Sequence, residues 1–433
     1  MNKLLLKGGK LIDPLSKKKE EKDLLIEDEK IVEIGEDLQV VGAQVIDVKG
    51  KVITPGFVDI HVHLREPGFE YKETIESGSK AAAKGGFTTI VAMPNTNPVI
   101  DNPSLVSSVL TKGKEASVNV HQIGAITKGS LGKELAEIGS MKEAGIVAIS
   151  DDGHSVMDSQ IMKLGLEYAK NFDLPVIVHC EDKNLAGDGA VHEGYYSTVT
   201  GLTPIPSSAE DVIVARDISL AEESGAKLHI AHISTKGAVG LVRQAKKRGV
   251  DVTCEVTPHH FSLTDEAITS FDSNTKMNPP LRSAEDVEAI KEGLRDGTID
   301  VIATDHAPHS KEEKDVEYNY APFGITGLET ALGLVITELV KEGVLSLEKA
   351  IEKLTVGPAK VLGLDKGTLE VGKDADLTII DLDKKWTVDP QKFLSKGKNT
   401  PFSGVELQGE VVTTIVGGKV VYRAEKQGIG DKG

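Results

Sequence analysis

Cysteine is scarce in this chain: Cys180 and Cys254 are the only two among 433 residues. Two thiols cannot make a disulfide framework, so the fold must rest on a hydrophobic core, and a reducing, cytoplasmic setting is expected. Long apolar runs are missing as well. No stretch approaches the ~18 residues that a membrane span requires, and the apolar part of residues 1–10 is too short for a secretory core, so no membrane association is expected. Basic surface is the third absence. The formal net charge is -17, and the one cationic run, Lys17-Lys18-Lys19, reads as a solvated turn between two weak strands; nucleic acid is not an expected partner. Finally, no Gly-x-Gly-x-x-Gly follows an apolar strand, which removes support for a dinucleotide fold.

What is present suffices for one large domain and a smaller one, with 39% hydrophobic and 27% charged residues. Residues 1–54 alternate short apolar stretches (4–6, 10–12, 24–26, 31–34, 45–48, 52–53) with turn signals such as Gly8-Gly9 and Asp13-Pro14. Residues 363–433 share this texture, with strands at 376–381 and 411–416 and a hairpin around Gly417-Gly418. The two ends are expected to form one small β-sandwich domain. Between them, residues 55–362 carry eight apolar strands, at 57–62, 88–92, 119–125, 145–150, 175–178, 227–231, 251–256 and 299–303. Helical segments lie between, among them 74–84, 159–171, 209–224, 236–248 and 284–295. Near-continuous buried strands alternating with helices predict an α/β fold, a closed (β/α)8 TIM-type barrel.

The stretch 56–68 organises the middle. His61 and His63 stand two apart on the first strand, so both imidazoles can face one point while Ile60, Val62 and Leu64 face packing. Imidazole suits zinc and other late divalent ions. The bland reading is an ordinary strand with two histidines; Arg65, able to grip a carboxylate, and the turn at Pro67-Gly68 favour the mouth of a site. The other strands end in Asn95, Asp151-Asp152, His179, His232, His259-His260 and Asp305. A barrel gathers those ends at one mouth. Histidines and carboxylates there would hold one or two divalent ions, which lower the pKa of water and polarise a carbonyl, so hydrolysis at an amide-like carbon, or its reverse, is the expected reaction. Asp305 is the expected proton carrier, passing a proton from water to the departing nitrogen; its plain alternative is a helix N-cap. Arg65, Asn95, Asn278 and His309 are the expected readers of a small anionic substrate, although each asparagine precedes or follows a proline and would also suit a turn. Cys180 and Cys254 read as core thiols, and His121, His154, His192 and His229 as structural or surface residues. His259 and His260 are candidates to support the site from behind.

Taken together, Asp59-x-His61-x-His63-x-Arg65-Glu66-Pro67-Gly68, Ala92-Met93-Pro94-Asn95-Thr96, Ser150-Asp151-Asp152-Gly153, His179-Cys180-Glu181, Ala231-His232-Ile233-Ser234, Asn278-Pro279-Pro280-Leu281-Arg282, Ala303-Thr304-Asp305-His306-Ala307-Pro308-His309 and Phe323-Gly324-Ile325-Thr326-Gly327-Leu328-Glu329 resemble the dihydroorotases of the bacterial class I type, in the amidohydrolase superfamily. The resemblance spans the chain, although the first motif is shared with allantoinases and hydantoinases. It implies reversible cyclisation of N-carbamoyl-L-aspartate to L-dihydroorotate with loss of water, in pyrimidine synthesis. It further implies that His61 and His63 bind one zinc, His179 and His232 a second, with Asp152 bridging and Asp305 as ligand and acid/base. His63, Leu64, Arg65, Asn95, Asn278, His309, Phe323 and Gly324 would hold the substrate. Many superfamily members place a carboxylated lysine on strand four; this strand has none, which fits class I and leaves the zinc count at one or two. Strand alternation alone does not choose between Asp151 and Asp152.

Two loops follow catalytic strands. Residues 310–322 are charged and are expected to act as a mobile lid; residues 183–207 would line the mouth or a subunit contact. A homodimer and an aspartate transcarbamoylase partner are what the resemblance implies for assembly. The alternatives are an allantoinase or dihydropyrimidinase, or a non-catalytic barrel that serves such a partner.

Overall fold

The computed structural model describes residues 3–424. The eight central strands are β1 (Phe57–Val62), β2 (Phe87–Ala92), β3 (Asn119–Gly124), β4 (Ala148–Ser150), β5 (Val176–Val178), β6 (Leu228–Ile230), β7 (Val252–Val256) and β8 (Val301–Ile302). They pair in parallel in chain order. Between β8 and β1 the ladder is reduced to a bridge between Val62 and His306, with the His63 N–H donating to His306 O at 2.9 Å. The Asp59 carboxylate completes the seam by accepting the Thr304 N–H at 3.2 Å. The barrel is thus nearly closed, by a side chain where backbone pairing gives out.

Two apolar layers explain the strand sequences. Val58, Ile60, Val91, Met93, Ile123, Ala148, Ile177, Ala231, Val301 and Ala303 fill the barrel, while Val62, Leu64, Ile90, Val176, Ile230, Cys254 and Val256 pack outward against the helices. Strands buried on both faces have no polar face to show, hence their continuous hydrophobicity. Ile60 and Val62 fall in different layers because the β1–β2 ladder shifts register between Asp59 and Val62. That is a departure from simple alternation over Ile60, Val62 and Leu64. The helices start on side-chain caps: Thr74 for Ile75–Lys84 and Thr235 for Lys236–Arg248, each accepting a backbone N–H of the first turn.

Strands from both chain ends share one mixed sheet of eight: Lys3–Asp13, Lys18–Glu27, Lys30–Gly35, Gln44–Asp47, Val52–Pro55, Leu377–Thr387, Glu406–Val416 and Lys419–Arg423. Val52–Pro55 joins the ends, pairing parallel to the first strand and antiparallel to Leu377–Thr387. Two expected stretches, 4–6 and 10–12, are one strand here. The ladder slips between Leu6 and Gly9, and Gly8 takes a φ of 68° there, so the glycines make a bulge and not a turn. Lys18 and Lys19 likewise open a strand, and only Lys17 lies in the turn before it. Gly56 links sheet to barrel at a point where a Cβ would lie 2.0 Å from Thr88 Oγ1, so no larger residue fits.

Candidate metal centre

Each expected donor lies at the C-terminal mouth of the barrel. His63 Nε2 is 3.0 Å from Asp305 Oδ1 and 3.4 Å from Asp152 Oδ2. His61 Nε2 is 3.4 Å from Asp152 Oδ1 and 3.5 Å from Asp305 Oδ1, and His232 Nε2 is 3.7 Å from Asp152 Oδ1. Among the described residues two groups can close on a cation, His61–Asp152–His232 and His61–His63–Asp305, and they share His61. This grouping differs from the pairing that the resemblance implies. His179 is in neither group; its Nδ1 is 2.9 Å from His232 Nε2, so the two rings bond to each other. Asp151 and Asp152 separate cleanly. Asp151 turns away and accepts the N–H groups of Ile126 and Thr127 at 2.9 and 3.0 Å, together with the Thr127 hydroxyl, while Asp152 faces the histidines.

The residues fit a divalent ion. His61 Nε2 and Asp152 Oδ1 are buried and have no hydrogen-bond partner, a costly condition that a cation relieves. Burial opposes charge on His61, Asp152, His232 and Asp305, yet the field is strongly negative. Against that burial, the carboxylates of Asp152, Glu255 and Asp305 raise His61 well above the ordinary histidine value. In return, despite burial, His61 and its neighbours hold Asp152 and Asp305 well below the carboxylate range. A pocket that draws a proton onto a buried imidazole would accept a cation there instead. His179 is neutral, pulled down to about 3 by burial and by His232. Backbone strain marks the same site: Arg65, His232 and Asp305 have φ of 61°, 30° and 46°, a left-handed region that side chains seldom enter, which turns three strand ends sharply into the mouth.

Asn95 Oδ1 meets His63 Nδ1 at 2.8 Å, so one end of this amide orients a histidine and its NH2 remains for a substrate. Arg65 donates to Pro308 O at 3.2 Å and lies 3.4 Å from His309 Nε2. Burial, with Arg65 close by, pulls His309 down to about 3, and the neutral ring donates to Phe323 O at 2.8 Å. Asn278 Nδ2 is 3.4 Å from His179 Nε2. Two expected contacts are engaged elsewhere. The Leu64 side chain is buried in the outer layer. The Gly324 N–H donates to Lys276 O, and its carbonyl accepts Lys314 Nζ and Asn399 Nδ2. Cys180 and Cys254 are core thiols, buried and raised in pKa by that burial.

Four residues at the site were not expected. Glu255, wholly buried, bonds His61 Nδ1 and His229 Nε2 and accepts the His232 N–H at 3.3 Å; a lone acid inside the apolar strand Val-Thr-Cys-Glu-Val was a readable sign. Arg282 ties the loop after β6 to residues 183–207, bonding Ser234 Oγ at 3.0 Å, Glu210 Oε2 at 3.2 Å and His192 Nδ1 at 3.2 Å. His192 is neutral in consequence, pulled down to about 4 by burial and Arg282. Lys314 donates to Pro322 O at 2.9 Å and Gly324 O at 3.1 Å. Asn399, from far along the chain, accepts the His309 N–H at 3.0 Å and donates to Ala307 O at 3.1 Å; nothing local in the sequence signals it. His260 bonds Thr257 Oγ1 at 2.7 Å and Pro279 O at 2.9 Å, which holds the turn carrying Asn278. His259 Nε2 is buried and without a hydrogen-bond partner.

A model described as the amidohydrolase family matches residues 52–421. The chain is 60% identical to a dihydroorotase of Pelotomaculum thermopropionicum, over 97% of this chain and 99% of that protein. It is 55% identical to a dihydroorotase of Acetivibrio thermocellus over the same shares. Among solved structures it is similar to the L-hydantoinase (dihydropyrimidinase) of Arthrobacter aurescens, with TM-score 0.87 and 30% identity over 98% of this chain and 97% of that one. It also resembles the dihydropyrimidinase of Brevibacillus agri, with TM-score 0.85 and 26% identity, covering 97% of this chain and 95% of that one.

Proposed function

Because the chain belongs to the amidohydrolase family, we propose that it is a dihydroorotase, of the bacterial class I type, that interconverts N-carbamoyl-L-aspartate and L-dihydroorotate plus water in the cytoplasm, in pyrimidine (UMP) synthesis. The observation that carries this reading is identity of 60% with a protein of that name over 97% of the chain, against 30% for the hydantoinase of the same fold. His61, His63, Asp152, His179, His232 and Asp305 would hold one or two zinc ions. Bound there, zinc acts as a Lewis acid toward the substrate carbonyl and lowers the pKa of water.

The remaining steps belong to the chain. In the hydrolytic direction Asp305, kept ionised by His61 and His63, takes the proton that the attacking water loses as its oxygen bonds to the ring carbon. It then delivers that proton to the amide nitrogen as the C–N bond breaks, so the leaving group departs neutral. The reverse sequence closes the ring. Arg65 meets the substrate carboxylate, and the NH2 of Asn95 and the ring of His309 fix its orientation. Residues 55–362 would form the catalytic barrel, and 1–54 with 363–433 the smaller domain. For assembly, a homodimer and association with aspartate transcarbamoylase are the arrangements to test, by sedimentation of the chain alone and mixed with that enzyme.

The likeness in fold to dihydropyrimidinases supports one rival, a hydrolase of uncharged cyclic amides. Turnover of L-dihydroorotate and of dihydrouracil, with zinc quantified on the same sample, separates them: the carboxylate-bearing ring should be preferred by at least about a hundredfold, since an unpaired Arg65 penalises the other. Asp305→Ala that keeps zinc should lose at least about a hundredfold in kcat. Equal turnover of both rings would overturn the reading.

A further inference from the structure

Behind His61 a line of polar side chains crosses the barrel interior, away from the mouth. Glu255 and His229 are both 0% exposed and lie behind the apolar layer that fills the barrel. His61 Nδ1 donates to Glu255 Oε1. His229 Nε2 donates to Glu255 Oε2 at 3.1 Å, and His229 Nδ1 accepts the Thr253 hydroxyl at 2.8 Å. Thr253 is half-buried and lines a cavity of about 610 Å³ at the base of the barrel, together with Pro175, Leu228 and Asp300. Each polar side chain along this line meets the next one, and the Thr253 hydroxyl, closer to His229 Nδ1, also lies 3.5 Å from Leu228 O.

A buried carboxylate is an expensive way to support a fold, because apolar residues of the same size would fill the space without desolvating a charge. Its value lies in what it does to its neighbours. By accepting at His61 Nδ1 it holds the proton on that nitrogen, so Nε2, the atom common to both candidate cation groups, stays an acceptor aimed at the mouth. Through the His232 N–H it also holds the strained backbone of a second donor. Its own orientation depends on His229, whose ring is fixed in turn by Thr253: without that hydroxyl, His229 Nδ1 is a buried acceptor with no donor, and the ring that presents Nε2–H to Glu255 loses its second anchor.

We propose that Glu255, His229 and Thr253 form a positioning column that sets the tautomer and aim of His61, so that a hydroxyl at the base of the barrel tunes cation affinity at the mouth. This rests on the reading that His61 holds a metal. The test measures zinc affinity by competition with a chromophoric chelator, and the visible spectrum of the cobalt(II)-loaded full-length chain, for the parent, Glu255→Gln, Thr253→Val and Thr253→Ser. Glu255→Gln should lose about 10–100-fold in zinc affinity. Thr253→Val keeps shape and strand propensity, so it should fold even where Glu255→Gln does not; it should lose about three- to tenfold in affinity and shift the cobalt bands. Thr253→Ser, which restores the hydroxyl, should return both to the parent values. Thr253→Val with parental affinity and spectrum would overturn the column. So would a loss that Thr253→Ser fails to restore. If the parent itself binds neither ion, the metal reading fails, and this inference falls with it.

Discussion

Two adjacent aspartates show how much is decided at a single residue. Asp151 and Asp152 share a strand end, yet one is a structural acceptor for Ile126 and Thr127 and the other faces three histidines. Their substitutions should therefore fail differently. Asp151→Ala strands buried donors and should lower stability by about 2–4 kcal/mol in urea titration, with zinc affinity within about threefold of the parent. Asp152→Ala should lose at least about tenfold in zinc affinity, since it removes the carboxylate of the His61–Asp152–His232 group. The reverse pattern would exchange their roles. The same logic applies to Asn95, whose carbonyl is already engaged by His63 and whose remaining amide is what a substrate can meet.

At the scale of elements, the segment 310–322 is a docked strap. It begins with a short helix, Lys311–Lys314, capped by Ser310. Lys314 reaches under it to Pro322 O and Gly324 O, Lys276 Nζ donates to Asn319 O at 2.8 Å, and Tyr318 bonds Thr275 Oγ1 at 3.1 Å. Glu313 pairs with Lys72 at 2.8 Å on the other side. Composition alone suggests a charged, mobile lid; in the structure Lys314 within the segment and Lys276 beside it reach backbone carbonyls at depth instead of water. Replacing Lys314 by Met leaves Pro322 O without this donor. Proteolysis within 315–322 should then rise about tenfold, matching a local loss of ~1.4 kcal/mol, and KM for L-dihydroorotate should rise more than kcat falls, because the strap leads directly into Phe323, whose carbonyl holds His309. Unchanged cleavage would mean that the other anchors suffice.

At the scale of the molecule, the two chain ends do more than build a sheet. Between Leu377–Thr387 and Glu406–Val416 the chain leaves the sheet and crosses to the barrel mouth, where Asn399 bridges His309, Ala307 and Gly324. Ser395 reaches Glu73, a buried acid that also bonds His306. The sheet is thereby coupled to the site through side chains that stand between 75 and 322 residues apart in sequence from their partners. Asn399→Ala should raise KM about tenfold while bound zinc stays constant, because His309 loses its backbone anchor and the metal donors do not. Parental KM in that variant would show that the strap alone holds His309.

Much of the architecture was legible before any coordinates, for a physical reason. Strands buried on both faces must be apolar throughout and helices must cap and repeat, so eight units and their order can be read locally; the convergence of strand-end histidines and aspartates can be read too, because a barrel gathers those ends whatever lies between. Glu255 stood in view as a lone charge in an apolar strand, although its partners did not. What only the tertiary structure decided are relations between distant residues: which aspartate faces the histidines, which imidazole His232 bonds, where Lys314 finds its acceptors, and that Asn399 stands at the mouth. Side-chain pairing across hundreds of residues follows from packing of the whole chain, and local pattern carries no record of it.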